Sequence, residues 1–258
     1  MNTRLHITLT LALIVPAQVQ TILFDFENAP IHTSLPISLT VGGETAHFTA
    51  TGAGYSIQPA NSVGVLPVGF SGLALYPNSI YGSDLLVSFS APLTNFSILY
   101  APQELACDSS ATMRVTAYMN SAMVGTATTN AQPGTWPSET LQFNSTQRFN
   151  SVVVHYDHGP VTGGDWGPIF TADNMYVSLA PPPVVPINLV VLPDRSFQFA
   201  FTNLSGGTFT VLTSTNLATP LTNWTVAGSV TETSAGCYQF RHPQAATQTR
   251  CFYIVQGP

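Results

Sequence analysis

Four oxygen-bearing side chains in two short segments are the first candidates for chemistry. Phe24-Asp25-Phe26-Glu27 sets two acids two residues apart, and Thr171-Ala172-Asp173-Asn174 sets an acid beside an amide. Side chains of an extended strand alternate between faces, so Asp25 and Glu27 are expected on one face of a strand, with Asp173 and Asn174 opening another. Carboxylates and amide carbonyls are hard ligands, and Ca²⁺ takes roughly six to eight such oxygens, so these four with backbone carbonyls would suffice. The alternative is two ordinary edge strands with solvated acids.

His155, Asp157, His158 and Asp165 fall close together in the run 155–165. Imidazole with carboxylate can hold Zn²⁺ or move protons. His155 and Asp157 alternate on a strand, however, and His158 enters a Gly/Pro loop, which is also how a solvated strand end reads. Ser71 lies in Gly-Phe-Ser-Gly-Leu, which lacks the second glycine of a nucleophile elbow and follows no α/β pattern. Trp136 and Trp166 sit in polar loops, and Tyr76 and Tyr81 flank a third turn. An exposed aromatic face stacks on the C–H face of a sugar ring, and the ends of a sandwich are where such a face would be presented. The same residues could instead fold back to cap a core. Cys237 and Cys251 fall in the last two expected strands, where an oxidising compartment would favour a disulfide over two buried thiols.

The elements that must position these groups are strands. In 112–119 Met113, Val115, Ala117 and Met119 share one face, and Arg114, Thr116 and Tyr118 the other. In 151–157 Val152, Val154 and Tyr156 alternate with Val153 and His155. Further strands are expected at 21–26, 45–50, 84–90, 94–100, 122–128, 139–143 and 170–179, separated by Gly, Pro and Asn clusters. After 187, Phe197, Phe199 and Phe201 alternate inward, with strands near 207–214, 224–230, 237–241 and 250–255. Many short strands with regular turn signals indicate an all-β fold, a sandwich or barrel.

Charged residues make up only 7% of the 258, all six basic residues are Arg, and the net charge is −6. That balance argues against a phosphate-contacting, nucleic-acid-binding surface. The first seventeen residues read as an export signal: Arg4 supplies a positive start, Ile7–Val15 is an apolar run too short to span a bilayer, and cleavage is expected after Ala17. Removal would leave five Arg against twelve acids, a net charge of −7. No later run has transmembrane length, so the mature chain is expected to carry no transmembrane anchor. Ala180-Pro181-Pro182-Pro183-Val184-Val185-Pro186 reads as a stiff linker, because consecutive prolines favour an extended spacer and cannot pair in a sheet. The expected organisation is therefore signal 1–17, β domain 18–179, linker 180–186 and small β domain 187–258.

The segments 24–27 (FDFE), 103–119 (QELACDSSATMRVTAYM), 149–156 (FNSVVVHY) and 165–177 (DWGPIFTADNMYV) resemble exported β-sandwich proteins of environmental bacteria, of the kind that carry a PEP-type sorting signal at the C-terminus. The resemblance spans about 21–179, and this chain ends without that signal. It implies a jelly-roll-like, galactose-binding-like antiparallel sandwich. In the jelly-roll carbohydrate-binding modules to which the layout is similar, first and last strands are neighbours and clamp a structural Ca²⁺, here through Asp25, Glu27, Asp173 and Asn174. Relatives carry a Cys before the DWGPIF segment where Gly163-Gly164 stand here, which implies an unpaired Cys107. The tail 209–255 resembles a β module repeated across exported bacterial proteins. Neither resemblance brings a defined activity. The function expected is that of a secreted or surface-exposed, non-catalytic protein with an extracellular glycan or surface protein as partner. A structural or adhesive matrix component, and a hydrolase with an unrecognised site, are the alternatives.

Overall fold

The computed structural model describes residues 6–9, 20–102, 111–132, 135–159, 168–203, 205–243 and 250–257. The architecture is all-β, an antiparallel sandwich followed by a small second one. The chain divides into two compact units, one of Gln20–Ala180 and one of Pro181–Pro258 with the amino-terminal strand.

The amino-terminal strand, β1 (His6–Leu9), belongs to the second unit. The first unit begins with β2 (Thr21–Phe24), β3 (Ile37–Val41), β4 (Glu44–Ala50), β5 (Tyr55–Pro59) and β6 (Leu73–Pro77). It continues with β7 (Leu85–Pro102), β8 (Thr112–Met119), β9 (Ala122–Asn130), β10 (Glu139–His158) and β11 (Phe170–Leu179). Two very long strands make the sandwich. β7 pairs with β4 through Leu85–Phe89 and with β11 through Leu93–Pro102, while β10 follows it along both stretches. Register shifts between Asn144, Phe149 and Ser151 bend the pair, so one ribbon serves both layers. Sequence patterning divides each of these strands in two, because Pro92 and the polar run 144–148 look like breaks.

The expected alternation holds over most of these strands, although Thr116 on the other face is also buried and Met119 and Tyr156 are half-buried. Met113, Val115, Ala117, Val152 and Val154 are all buried in one core with Phe48, Phe96, Tyr100 and Phe149. β2 pairs antiparallel with β11, Phe24 opposite Met175, so first and last strands of this unit are neighbours.

The second unit holds β12 (Ile187–Val191), β13 (Phe197–Thr202), β14 (Thr210–Ser214), β15 (Thr225–Ser229), β16 (Thr231–Ser234), β17 (Cys237–His242) and β18 (Arg250–Gln256). They form two sheets, ordered β12-β13-β17-β16 and β1-β18-β14-β15. β1 lies within the stretch read as an export signal, and its backbone pairs in parallel with β18, His6 opposite Arg250. Phe197, Phe199 and Phe201 point inward as expected and meet Tyr253, Phe240 and Tyr238 across ring separations of 5.0–5.3 Å. Aromatic rings bury much area per residue, which is how so small a unit gains a core. Trp224 packs on the outer face of its sheet with Leu212, Phe252 and Ile254. The proline stretch does not stand free as a spacer: Val184 is buried in the small core and Asn203 Nδ2 donates to the Pro182 carbonyl at 2.9 Å.

Cys237 and Cys251 are free thiols, which corrects the expected disulfide. The two strands are consecutive in sequence but lie in different sheets. His242, five residues beyond Cys237 and so about 16 Å along the strand, meets the hydroxyl of Tyr253, two residues beyond Cys251. A bridge needs Cα atoms within about 7 Å. Cys107 lies outside the described residues.

Candidate functional site

Asp25, Glu27, Asp173 and Asn174 are brought together, and with them the base of the loop between β5 and β6. The route differs from two strand faces. β2 ends at Phe24, and Phe26 takes a left-handed conformation (φ 62) while burying its ring against Phe48 at 5.3 Å. A bulky residue rarely adopts that conformation, so core packing of the ring must hold it there. Asp25 Oδ1 accepts the amide of Glu27 at 3.2 Å, closing a short turn. In β11, Asn174 is also left-handed (φ 46) and the register shifts between Asp173 and Tyr176. This bulge lets Ala172 and Met175 both face the main core, while Thr171 and Asp173 share the opposite face.

That opposite face is covered. Phe70, Ala74, Tyr76, Ala101 and Trp136 form a second, smaller core over it. Asp173, 1% exposed, accepts the amide of Ser71 at 3.1 Å through Oδ2 and that of Asn174 at 2.7 Å through Oδ1. Glu27 Oε1 accepts the amide of Leu73 at 3.1 Å. Asn174 Nδ2 donates to the Gly69 carbonyl at 3.1 Å. Gly72 (φ +48) is required here, because a Cβ would stand 2.0 Å from Glu27 Oε1. The acids thus clamp residues 69–73 by their backbone. Burial pushes the Asp173 carboxyl up to about 6; the two amides hold it down, and Glu27 and Asp25 push it further up. Thr171, on the same face, carries the one buried side-chain polar atom without a partner among the described residues, its hydroxyl.

The donor set is made of hard oxygens, the type a Ca²⁺ ion takes, and Glu27 is seated in a cradle that a Cβ would fill. Among the described residues, however, no three acidic, His or Cys side chains converge at metal-holding spacing. The set matches calcium in kind, and its carboxylates face backbone amides.

Above the clamp, Val63-Gly64-Val65-Leu66-Pro67-Val68-Gly69-Phe70 is an uninterrupted apolar run. Pro67 and Phe70 are buried anchors, whereas Val63, Val65, Leu66 and Val68 are exposed, the last at 79%. Ser138 Oγ donates to the Val68 carbonyl at 3.1 Å, and Gly69 packs over Leu99. Val65, Leu66, Val68 and Trp136 line an open cleft of about 390 Å³.

The aromatic platform is corrected at two of its four members. Trp136 is 4% exposed and its Nε1 donates to the Pro102 carbonyl at 2.9 Å. Tyr76 is buried, donates to the Ala60 carbonyl at 3.3 Å, and its hydroxyl is pushed up to about 12 by burial. Both fold back because a capping core over β6, β7 and β11 needs rings. Tyr81 is exposed at 77%. Trp166 and Asp165 lie outside the described residues. The histidine cluster resolves into pairs at strand ends: His155 Nδ1 with Asp84 Oδ1 at 2.6 Å, Arg114 Nε with Asp157 Oδ1 at 2.9 Å, and His158 Nδ1 with Asp157 Oδ2 at 3.1 Å. Sequence reasoning missed the apolar loop, although its eight residues without a polar side chain were a visible signal.

No family model and no curated protein matches the chain. Among solved structures it is similar to the K2 cleaved adhesin domain of Lys-gingipain, with 14% identity, TM-score 0.39 and coverage of 61% of this chain and 99% of that one. The K1 cleaved adhesin domain of Lys-gingipain from Porphyromonas gingivalis W83 has 14% identity, TM-score 0.36 and coverage of 62% and 99%. A family 35 carbohydrate binding module from Clostridium thermocellum has 13% identity, TM-score 0.28 and coverage of 56% and 98%. Among the described residues no helix is long and apolar enough to cross a membrane.

Proposed function

We propose that the chain is a secreted or surface-exposed binding protein, not an enzyme, and that its first unit recognises an extracellular glycan with the loop between β5 and β6 and the Trp136 cleft. The observation that carries this reading is the clamp. Asp25 and Glu27 from the start of the unit, with Asp173 and Asn174 from its end, hold residues 69–73 by backbone hydrogen bonds and so fix an exposed loop before any ligand arrives. A loop ordered in advance loses less entropy on binding. Calcium belongs to the same proposal. Bound by Asp25, Glu27, Asp173 and Asn174, it would neutralise three like-signed carboxylates and tighten the clamp by mass action on the folded state.

A second reading, an adhesive or matrix component that grips other surface proteins, draws support from the apolar run itself, since Val65, Leu66 and Val68 offer aliphatic rather than aromatic contact. A glycan array on the exported protein, run in calcium and in EDTA with the Asp173→Ala chain alongside, separates these readings. The proposal expects a glycan signal that falls in the variant and is stronger in calcium. Silence on every glycan, with retained binding to surface proteins, would replace it by the adhesive reading.

A further inference from the structure

The second unit has a cleft of its own, independent of the clamp. It opens between the two sheets where His242 of β17 approaches β14, β15 and β18, and it measures about 620 Å³. Thr213, Ser214, Thr219, Asn223 and Thr225 supply most of its polar wall, with Val226, Ala227 and Pro243 as apolar patches. Among the described residues that line it, none is Asp, Glu, Lys or Arg.

The hydrogen-bond state of the wall is fixed by the backbone. Thr213 Oγ1 donates to the Phe252 carbonyl at 3.0 Å, Thr225 Oγ1 to the Thr213 carbonyl at 3.2 Å and Ser214 Oγ to the Asn216 carbonyl at 2.9 Å. A hydroxyl that has given its one proton presents only lone pairs, so these three oxygens face a ligand as acceptors, Ser214 Oγ with the one lone pair left after it accepts the Asn216 amide at 3.1 Å. Such acceptors want O–H donors. At the floor, His242 Nδ1 stands 2.9 Å from the hydroxyl of fully buried Tyr253, beside the buried Cys251. Burial holds the His242 imidazole below its ordinary value, which keeps the floor uncharged. A charged ligand would meet no counter-charge there, whereas a neutral one bearing hydroxyls and a C–H face would meet acceptors and Val226 together.

We propose that this cleft binds a neutral polyhydroxylated ligand, of the size of a mono- or disaccharide unit. The volume lies in the range of small-ligand sites, roughly 300–1,000 Å³. Trp224 gives the site a local reporter, because its indole Nε1 donates at 2.8 Å to the carbonyl of Thr219, which lines the wall.

The test is NMR titration of the full chain with methyl β-galactoside, methyl β-glucoside and N-acetylglucosamine, against galacturonate and glucosamine as charged counterparts. At least one neutral sugar should shift the Trp224 indole resonance and the charged ones should not. Val226→Phe, at an exposed position on the mouth, and Asn223→Leu should each weaken that sugar about tenfold, the loss of one well-made polar contact or its equivalent in blocked space. The two variants fail independently, so a folding defect in one leaves the other to decide. No shift with any neutral sugar, a preference for the charged ones, or full affinity in both variants would overturn the proposal. A shift confined to the Trp136 indole would also overturn it, while leaving the glycan reading of the first unit intact.

Discussion

The two units solve the same problem, a stable β fold on a chain with few charges, in opposite ways. The larger one can afford a buried carboxylate: Asp173 is nearly inaccessible and, with Glu27, is spent on backbone amides of a loop. The smaller one buries rings instead, with Phe199 in contact with Phe197, Phe201 and Phe240, and among the described residues its cleft is lined by no formal charge. The difference teaches where each unit is vulnerable. Loss of a ring should unfold the small unit, and loss of a carboxylate should loosen one loop of the large unit.

The largest effect should come from Phe199→Ala. Its ring is fully buried, and truncation of such a core aromatic costs about 3–5 kcal/mol. Denaturation followed by far-UV circular dichroism should lose the transition of the small unit and keep that of the large one. Loss of both together would erase the contrast.

The next effect is a pH dependence confined to the large unit. Asp173 has its carboxyl raised to about 6 in the folded state, from 3.8. Below about pH 4 both states are protonated and the burial carries no electrostatic penalty. As pH rises toward 6 the unfolded chain releases this proton first, so stability falls, by on the order of 2–3 kcal/mol. In EDTA the large unit should therefore melt higher at pH 4.5 than at pH 7, and Asp173→Asn should flatten that profile. Calcium at pH 7 should restore part of the difference. Identical melting in calcium and EDTA would remove the metal from the account.

Gly72→Ala comes third. A methyl group there meets Glu27 and sits on a left-handed backbone, so a cost of about 1–3 kcal/mol is expected. Tyr81→Ala should be smallest, within about 0.5 kcal/mol by thermal melting, since the ring is exposed.

Much of this was legible in the sequence, for reasons the particular residues show. Period-two patterning located Met113, Val115 and Ala117, and Phe197, Phe199 and Phe201, because each strand has one wet and one dry face. The meeting of FDFE with TADN followed from a resemblance, and the pairing of Phe24 with Met175 realises it. What stayed hidden depends on tertiary context. Pro92 and the run 144–148 look like strand ends, yet they are bends in β7 and β10. A loop tryptophan gives the same local signal whether it faces water or caps a core, so Trp136 could not be placed. Cys237 and Cys251 fall on consecutive strands, and no local pattern tells that those strands lie in different sheets.

The central claim, that acids from both ends of the large unit order its exposed loop, is tested most directly by amide hydrogen exchange on Glu27→Ala and Asp173→Ala. The clamp predicts that exchange at Leu73 in the first variant and at Ser71 in the second accelerates by about tenfold or more, as each amide loses a partner. Amides of β8 and β10 should keep their protection. Unchanged exchange at Ser71 and Leu73, or an equal loss of protection throughout the unit, would contradict it.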